Sequence, residues 1–124
     1  MLRIAVRQMP RNDVREETQR LVEVTARLRE VLAGRQAKFE TVLSELDQGV
    51  PVGDMMIHGG APDLREELDR ALEEFHAQRY RWRVSLMRAT LAEGMTITRF
   101  ADLYGFSRQY AQRIAKEVQG KGRP

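Results

Sequence analysis

The feature that most constrains this chain is a stripe of apolar residues, Leu21, Val24, Leu28, Val31, Leu32, Phe39, Val42, Leu43 and Leu46, set mostly at intervals of three and four. That period belongs to one face of an α-helix. Asp13 and Glu16 have the spacing of a capping box just after Pro10, so the helix is expected to start at Asp13 and to end near Gly49. At 1.5 Å per residue it would extend roughly 50 Å, too far to be covered by one small domain. Gly34 falls where the stripe skips a turn, and a kink or local weakness is expected there. A helix this long needs company along its apolar side, either a second helix or a second copy of the chain. We therefore assign Leu21, Val24, Leu28, Val31, Leu32, Phe39, Leu43 and Leu46 to dimerisation.

The stretch GVPVGDMMIHGGAPD holds four glycines and two prolines, and residues 49–62 are expected to form a loop. His58, Gly59 and Gly60 resemble part of a phosphate loop, but no strand precedes them and no Gly-Lys-Ser/Thr ending follows. Pro62 and Asp63 then signal a second helix, with Leu64, Leu68, Ala71, Leu72, Phe75, Trp82 and Leu86 on one side. Trp82 continues the stripe from Phe75, which makes it a core anchor rather than a platform for bases. Arg79 and Arg83, one turn apart, are placed to touch phosphates. Residues 13–93 thus read as a long antiparallel helical hairpin, a coiled-coil-like dimerisation stalk. Before it, Leu2, Ile4 and Val6 alternate with Arg3, Ala5 and Arg7, so residues 1–12 are expected to form a basic arm or a short strand.

Charge divides the chain more sharply than its net value of +3 implies. Residues 1–78 hold 11 Lys or Arg against 15 Asp or Glu, while residues 79–124 hold 10 against 3. A cationic C-terminal third suits a polyanion, because neutralising phosphates releases condensed counterions. Cysteine is absent, which excludes disulfides and thiolate metal sites. No apolar run approaches a membrane span, and MLRIAVRQMPR lacks the apolar core of a secretion signal, so we expect a cytoplasmic, nucleoid-associated protein with no membrane partner. No nucleophile and base pair up, no cofactor loop is present, and His58 and His76 lack further ligands at metal spacing. The expectation is a non-enzyme with neither cofactor nor metal. A pocket between the hairpin and the loop around Met55 has room for a small-molecule effector, though no residue pattern there demands one.

The C-terminal segment carries the most specific local signals. Gly94 should stop the second helix and Thr96 should cap a short third one bearing Ile97, Phe100, Ala101, Leu103 and Tyr104. Gly105 then ends it, Phe106 plugs the turn, and Ser107 caps the next helix. Small Ala101 permits a close helix crossing, and Phe100, Phe106, Ala111 and Ile114 can build a shared core. The segment RFADLYGFSRQYAQRIAKEV resembles the helix-turn-helix of bacterial repressors and related regulators, including the lac-repressor type. The resemblance rests on Phe100, Ala101, Gly105, Phe106, Ser107, Ala111 and Ile114, covers residues 97–118, and assigns no family to residues 1–93. Tyr104 departs from the pattern, being bulkier than the small residue usual there.

The resemblance implies that the helix from Arg108 to about Val118 enters the major groove. Arg108, Gln109, Gln112 and Arg113 would then face base edges, since arginine can grip guanine O6 and N7 and glutamine can grip adenine N6 and N7. Thr96, Thr98, Arg99, Ser107, Tyr110 and Lys116 are the expected phosphate contacts. Arg99 and Arg108 have surface ion pairs with Asp102 or Glu117 as an alternative use. The QGKGRP ending leaves residues 119–124 as a flexible tail too short for a β wing. The expected fold is therefore all-α, a helical hairpin followed by an unwinged helix-turn-helix over residues 94–118. The expected function is sequence-specific binding of double-stranded DNA by a homodimer, most economically a bacterial transcriptional regulator, with recognition helices about 34 Å apart. The rival readings are an architectural, plasmid-partition or phage-packaging DNA-binding subunit, and a helical protein-interaction adaptor.

Overall fold

The computed structural model describes residues 2–59 and 61–120, with side chains omitted at 2–7, 61 and 62. Five α-helices, and no strand among the described residues, make up the fold: α1 (Leu2–Asp47), α2 (Val52–His58), α3 (Ala61–Ala92), α4 (Ile97–Tyr104) and α5 (Arg108–Gly120). No helix among the described residues is long and apolar enough to cross a membrane. The chain divides into two compact units, one of residues 1–21 with 77–124 and one of residues 22–76.

Two sequence expectations are corrected here. The first concerns residues 1–12, which are neither strand nor arm where described: α1 is helical from Leu2, eleven residues before the capping box at Asp13. An alternation of six residues does not separate strand from helix, and a lone strand has nothing to pair with. Pro10 lies inside α1, where it removes one backbone donor. Contacts around it brace the helix: Gln8 Nε2 donates to Asn12 Oδ1 at 3.0 Å, and Arg11 pairs with Glu93 at 3.2 Å. Second, residues 49–62 are not all loop, because Val52–His58 form α2. Pro51 precedes its first residue, a position that suits the fixed φ of proline, and Gly59 N–H closes the helix on Met55 O at 3.0 Å. Of the expected tail, residues 119 and 120 belong to α5, and 121–124 lie outside the described residues, as does Gly60 of the phosphate-loop match.

In the unit of residues 22–76, Val24 and Met55 are buried, and Arg27 meets Glu74 at 3.5 Å. His58, at the end of α2, lies 3.3 Å from Glu45 of α1. Much of the apolar stripe stays on the surface of this unit. Leu28 and Val31 are half-buried, whereas Leu32, Phe39, Leu43 and Leu46 are 47%, 59%, 63% and 47% exposed; Leu21, half-buried, belongs to the other unit.

The other unit is built on the second half of α3. Gln78, Val84, Ser85, Met87 and Ala89 are buried, so that this stretch of helix is covered on more than one side. The single stripe expected through Trp82 and Leu86 is therefore only part of its buried surface. On one side it meets the start of α1, running in the opposite direction: Gln78 Nε2 donates to Glu17 Oε2 at 2.7 Å, and Trp82 Nε1 donates to Thr18 Oγ1 at 3.0 Å. Satisfying Gln78 in this way removes the cost of burying its amide. On the other side, Val84 and Met87 join Phe100, Ala101, Ala111, Ile114 and Ala115 in one core cluster.

Candidate nucleic-acid interface

Local signals set the geometry of α4 and α5. Thr96 Oγ1 accepts from Arg99 N–H at 3.1 Å, satisfying a donor that the first turn of α4 leaves over. Gly105 ends α4 with φ of 69°, in the left-handed region where a side chain is disfavoured, and Phe106 N–H returns to Ala101 O at 2.9 Å. Ser107 Oγ accepts from Tyr110 N–H at 3.1 Å and caps α5. These are the capping and turn residues expected from the sequence.

Packing then holds the two helices to each other and to α3. Phe100 and Ile114 are 1% and 0% exposed, and Ala101 meets Ala111 and Ala115 in the same cluster, small residues that let the helix backbones approach closely. Burying each large apolar side chain contributes about 1.5–3 kcal/mol. Tyr104, the bulky departure from the repressor pattern, is 44% exposed and stacks on Phe100 and Phe106 at centroid distances of 5.0 and 5.2 Å.

An aromatic and cationic brace reinforces the turn. Phe106 meets Tyr110 edge-on at 4.8 Å, and the Arg83 guanidinium lies over both rings, 5.1 Å from Phe106 and 5.7 Å from Tyr110. Arg83 Nη1 also donates to Tyr110 Oη at 2.9 Å. Tyr110, expected at phosphate, thus has its hydroxyl engaged by the protein, and Arg83, also expected there, serves as a packing residue. Sequence spacing did not reveal this pair, because the two residues are 27 positions apart and meet only once α5 is folded against α3. Burial first, then Glu117 and Tyr110, push the Tyr80 hydroxyl above its ordinary value of 10.0, while Arg113 pulls it down.

The face of α5 opposite this core is open. Arg108, Gln109, Gln112, Arg113 and Lys116 are all exposed and together line one shallow groove of about 400 Å³. Their spacing of one, three, one and three residues gathers them on one side of a 3.6-residue helix, while Ala111, Ile114 and Ala115 point inward. These five residues supply three cations and two amides, and the carboxylate of α5, Glu117, is exposed beside Lys116 outside the groove lining. Thr96, Thr98, Arg99 and Ser107 are exposed at the starts of α4 and α5. Among the described residues, no ion pair joins Arg99 or Arg108 to Asp102, one of the two partners expected for them as an alternative.

No protein-family model matches this chain, and no curated protein or solved structure matches it either.

Proposed function

We propose that this chain binds double-stranded DNA in a sequence-specific way, with α4, the turn at Gly105 and α5 acting as a helix-turn-helix whose second helix enters the major groove. The observation that carries this reading is the single exposed face of Arg108, Gln109, Gln112, Arg113 and Lys116. Guanidinium and amide groups are the side chains best matched to purine edges in that groove, and a set of lining residues without a carboxylate does not repel phosphate. Thr96, Thr98, Arg99 and Ser107 supply hydroxyls and a cation at two helix N-termini, which suits phosphate contacts. The resemblance of residues 97–118 to the repressor motif belongs to the same proposal.

One such helix offers few base contacts, so we assign pairing to α1. Leu32, Phe39, Leu43 and Leu46 are spaced seven, four and three residues apart and lie exposed, the arrangement of a helical seam awaiting a second copy. A homodimer acting as a transcriptional regulator is the reading these features support best. Sedimentation should give a dimer at micromolar concentration, with Leu43→Glu returning a monomer of unchanged helicity. A wild-type monomer would remove the pairing assignment.

An architectural DNA-binding subunit is the second reading, and it has its own support. Met56 and Ile57 on α2 are 63% and 83% exposed, a further apolar surface in the unit that carries the α1 seam. Two such surfaces suit an assembly larger than a dimer. Selection of bound fragments from random duplex DNA separates the readings: an enriched symmetric site bound by one dimer supports the regulator. Binding that spreads without an enriched sequence supports the architectural subunit, and no binding even at low salt removes both.

A further inference from the structure

The unit of residues 22–76 contains a cleft of about 330 Å³ between the last third of α1, α2 and the start of α3. Its volume falls within the range of small-molecule sites. Its lining is mainly apolar: Phe39 and Val42 from α1, Val52, Met55 and Met56 from α2, and Leu64 from α3. Two methionines in so small a cleft give it walls that reshape around an aliphatic chain.

The polar groups of the cleft are sorted by charge. Arg35 and Lys38 stand on the α1 side, one turn apart. The carboxylate in the lining, Glu45, is 3.3 Å from His58, so these two groups answer each other. Arg35 is different. Its guanidinium lies over the Phe39 ring at 5.5 Å, and its Nε is buried with no hydrogen-bond partner among the described residues. Among the described residues no carboxylate pairs with Arg35, so its guanidinium charge is left for an anion in the cleft, which it would meet with a charge-assisted hydrogen bond.

We propose that this cleft is a binding site for a medium-chain aliphatic carboxylate, the acid group held by Arg35 and Lys38 and the chain lying among Val42, Val52, Met55, Met56 and Leu64. The complementarity has two parts that one molecule satisfies together, a cationic pair at one edge and an apolar floor beyond it. A neutral alcohol of the same length would fill the floor and leave the charges of Arg35 and Lys38 unanswered. The cleft shares Phe39 with the pairing seam assigned to α1 and Met56 with the second apolar surface, but it does not rest on DNA binding, and its test contains no DNA.

Calorimetric titration of the full chain with decanoate, with decanol as the neutral control, tests the assignment. The expected result is saturable binding of one decanoate per chain, with decanol weaker by about tenfold or more. Arg35→Gln with Lys38→Gln should weaken decanoate by a similar factor and leave decanol unchanged, with the helical circular dichroism retained. Val52→Trp, at an exposed lining position, should weaken both ligands by filling the cleft. Equal binding of acid and alcohol, indifference to the double substitution, or affinity that falls as protein concentration rises because a second copy covers the cleft would each overturn it.

Discussion

At the scale of single residues, the proposed recognition face separates into groups that should behave differently. Arg113 has the shape to make two hydrogen bonds to one base, whereas Lys116 is a point charge suited to phosphate. Arg113→Ala should therefore cost about 1–3 kcal/mol on the selected duplex and little on a scrambled one, read by fluorescence anisotropy. Lys116→Ala should weaken both duplexes alike and reduce the salt slope by about one. Equal losses on the two duplexes for Arg113→Ala would make it a phosphate contact. Tyr80 gives a prediction that needs no ligand. Burial, Glu117 and Tyr110 raise its folded-state pKa above 10.0, so the folded chain holds the phenolic proton more tightly than the unfolded chain does. The stability this provides is fully present below pH 10.0, the unfolded value, and is lost as pH rises through the raised folded value. Melting followed by circular dichroism through that alkaline window should fall less steeply for Tyr80→Phe, which has no proton to lose. Parallel curves would mean that Tyr80 is no more perturbed in the folded state than in the unfolded one.

At the scale of elements, the turn between α4 and α5 is held by its backbone as much as by its side chains. Gly105 has φ of 69°, and an added Cβ would meet nothing within 4 Å, so the penalty of Gly105→Ala is purely conformational. The substitution should lower stability by about 1–2 kcal/mol in urea denaturation, with Gly105→Asn recovering part of the loss. An unchanged midpoint would show that the turn does not require the left-handed conformation. This element was legible in the sequence because its determinants are local: Thr96, Gly105 and Ser107 act within three or four residues of themselves. The start of α1 was not, since a capping box at Asp13 marks a place where a helix can begin and not one where it must. Nor was α2, because the glycines and prolines of residues 49–62 bracket seven residues that form two turns of helix between them.

At the scale of the molecule, what could be read depended on how far apart the interacting residues lie in sequence. The all-helical class followed from a period of three and four sustained over dozens of residues, and the exposed set on α5 followed from the same arithmetic over nine. The buried surface of α3 did not. Gln78, Ser85 and Met87 are inside because α1 and the α4–α5 pair cover different sides of one helix, which no window along the chain contains. The Arg83–Tyr110 contact, between two residues expected at phosphate, was hidden for the same reason. Of the 10 Lys or Arg that face 3 Asp or Glu after residue 78, three line the groove on α5: Arg108, Arg113 and Lys116.

The most direct test of this account is to map backbone amide shifts by nuclear magnetic resonance while random-sequence duplex DNA is added at low salt. The account predicts that the largest changes cluster at Thr96–Arg99 and along Arg108–Lys116, and that they reverse as salt is raised. Shifts that leave Gln109, Gln112 and Arg113 unmoved while DNA is demonstrably bound through other basic residues would contradict it.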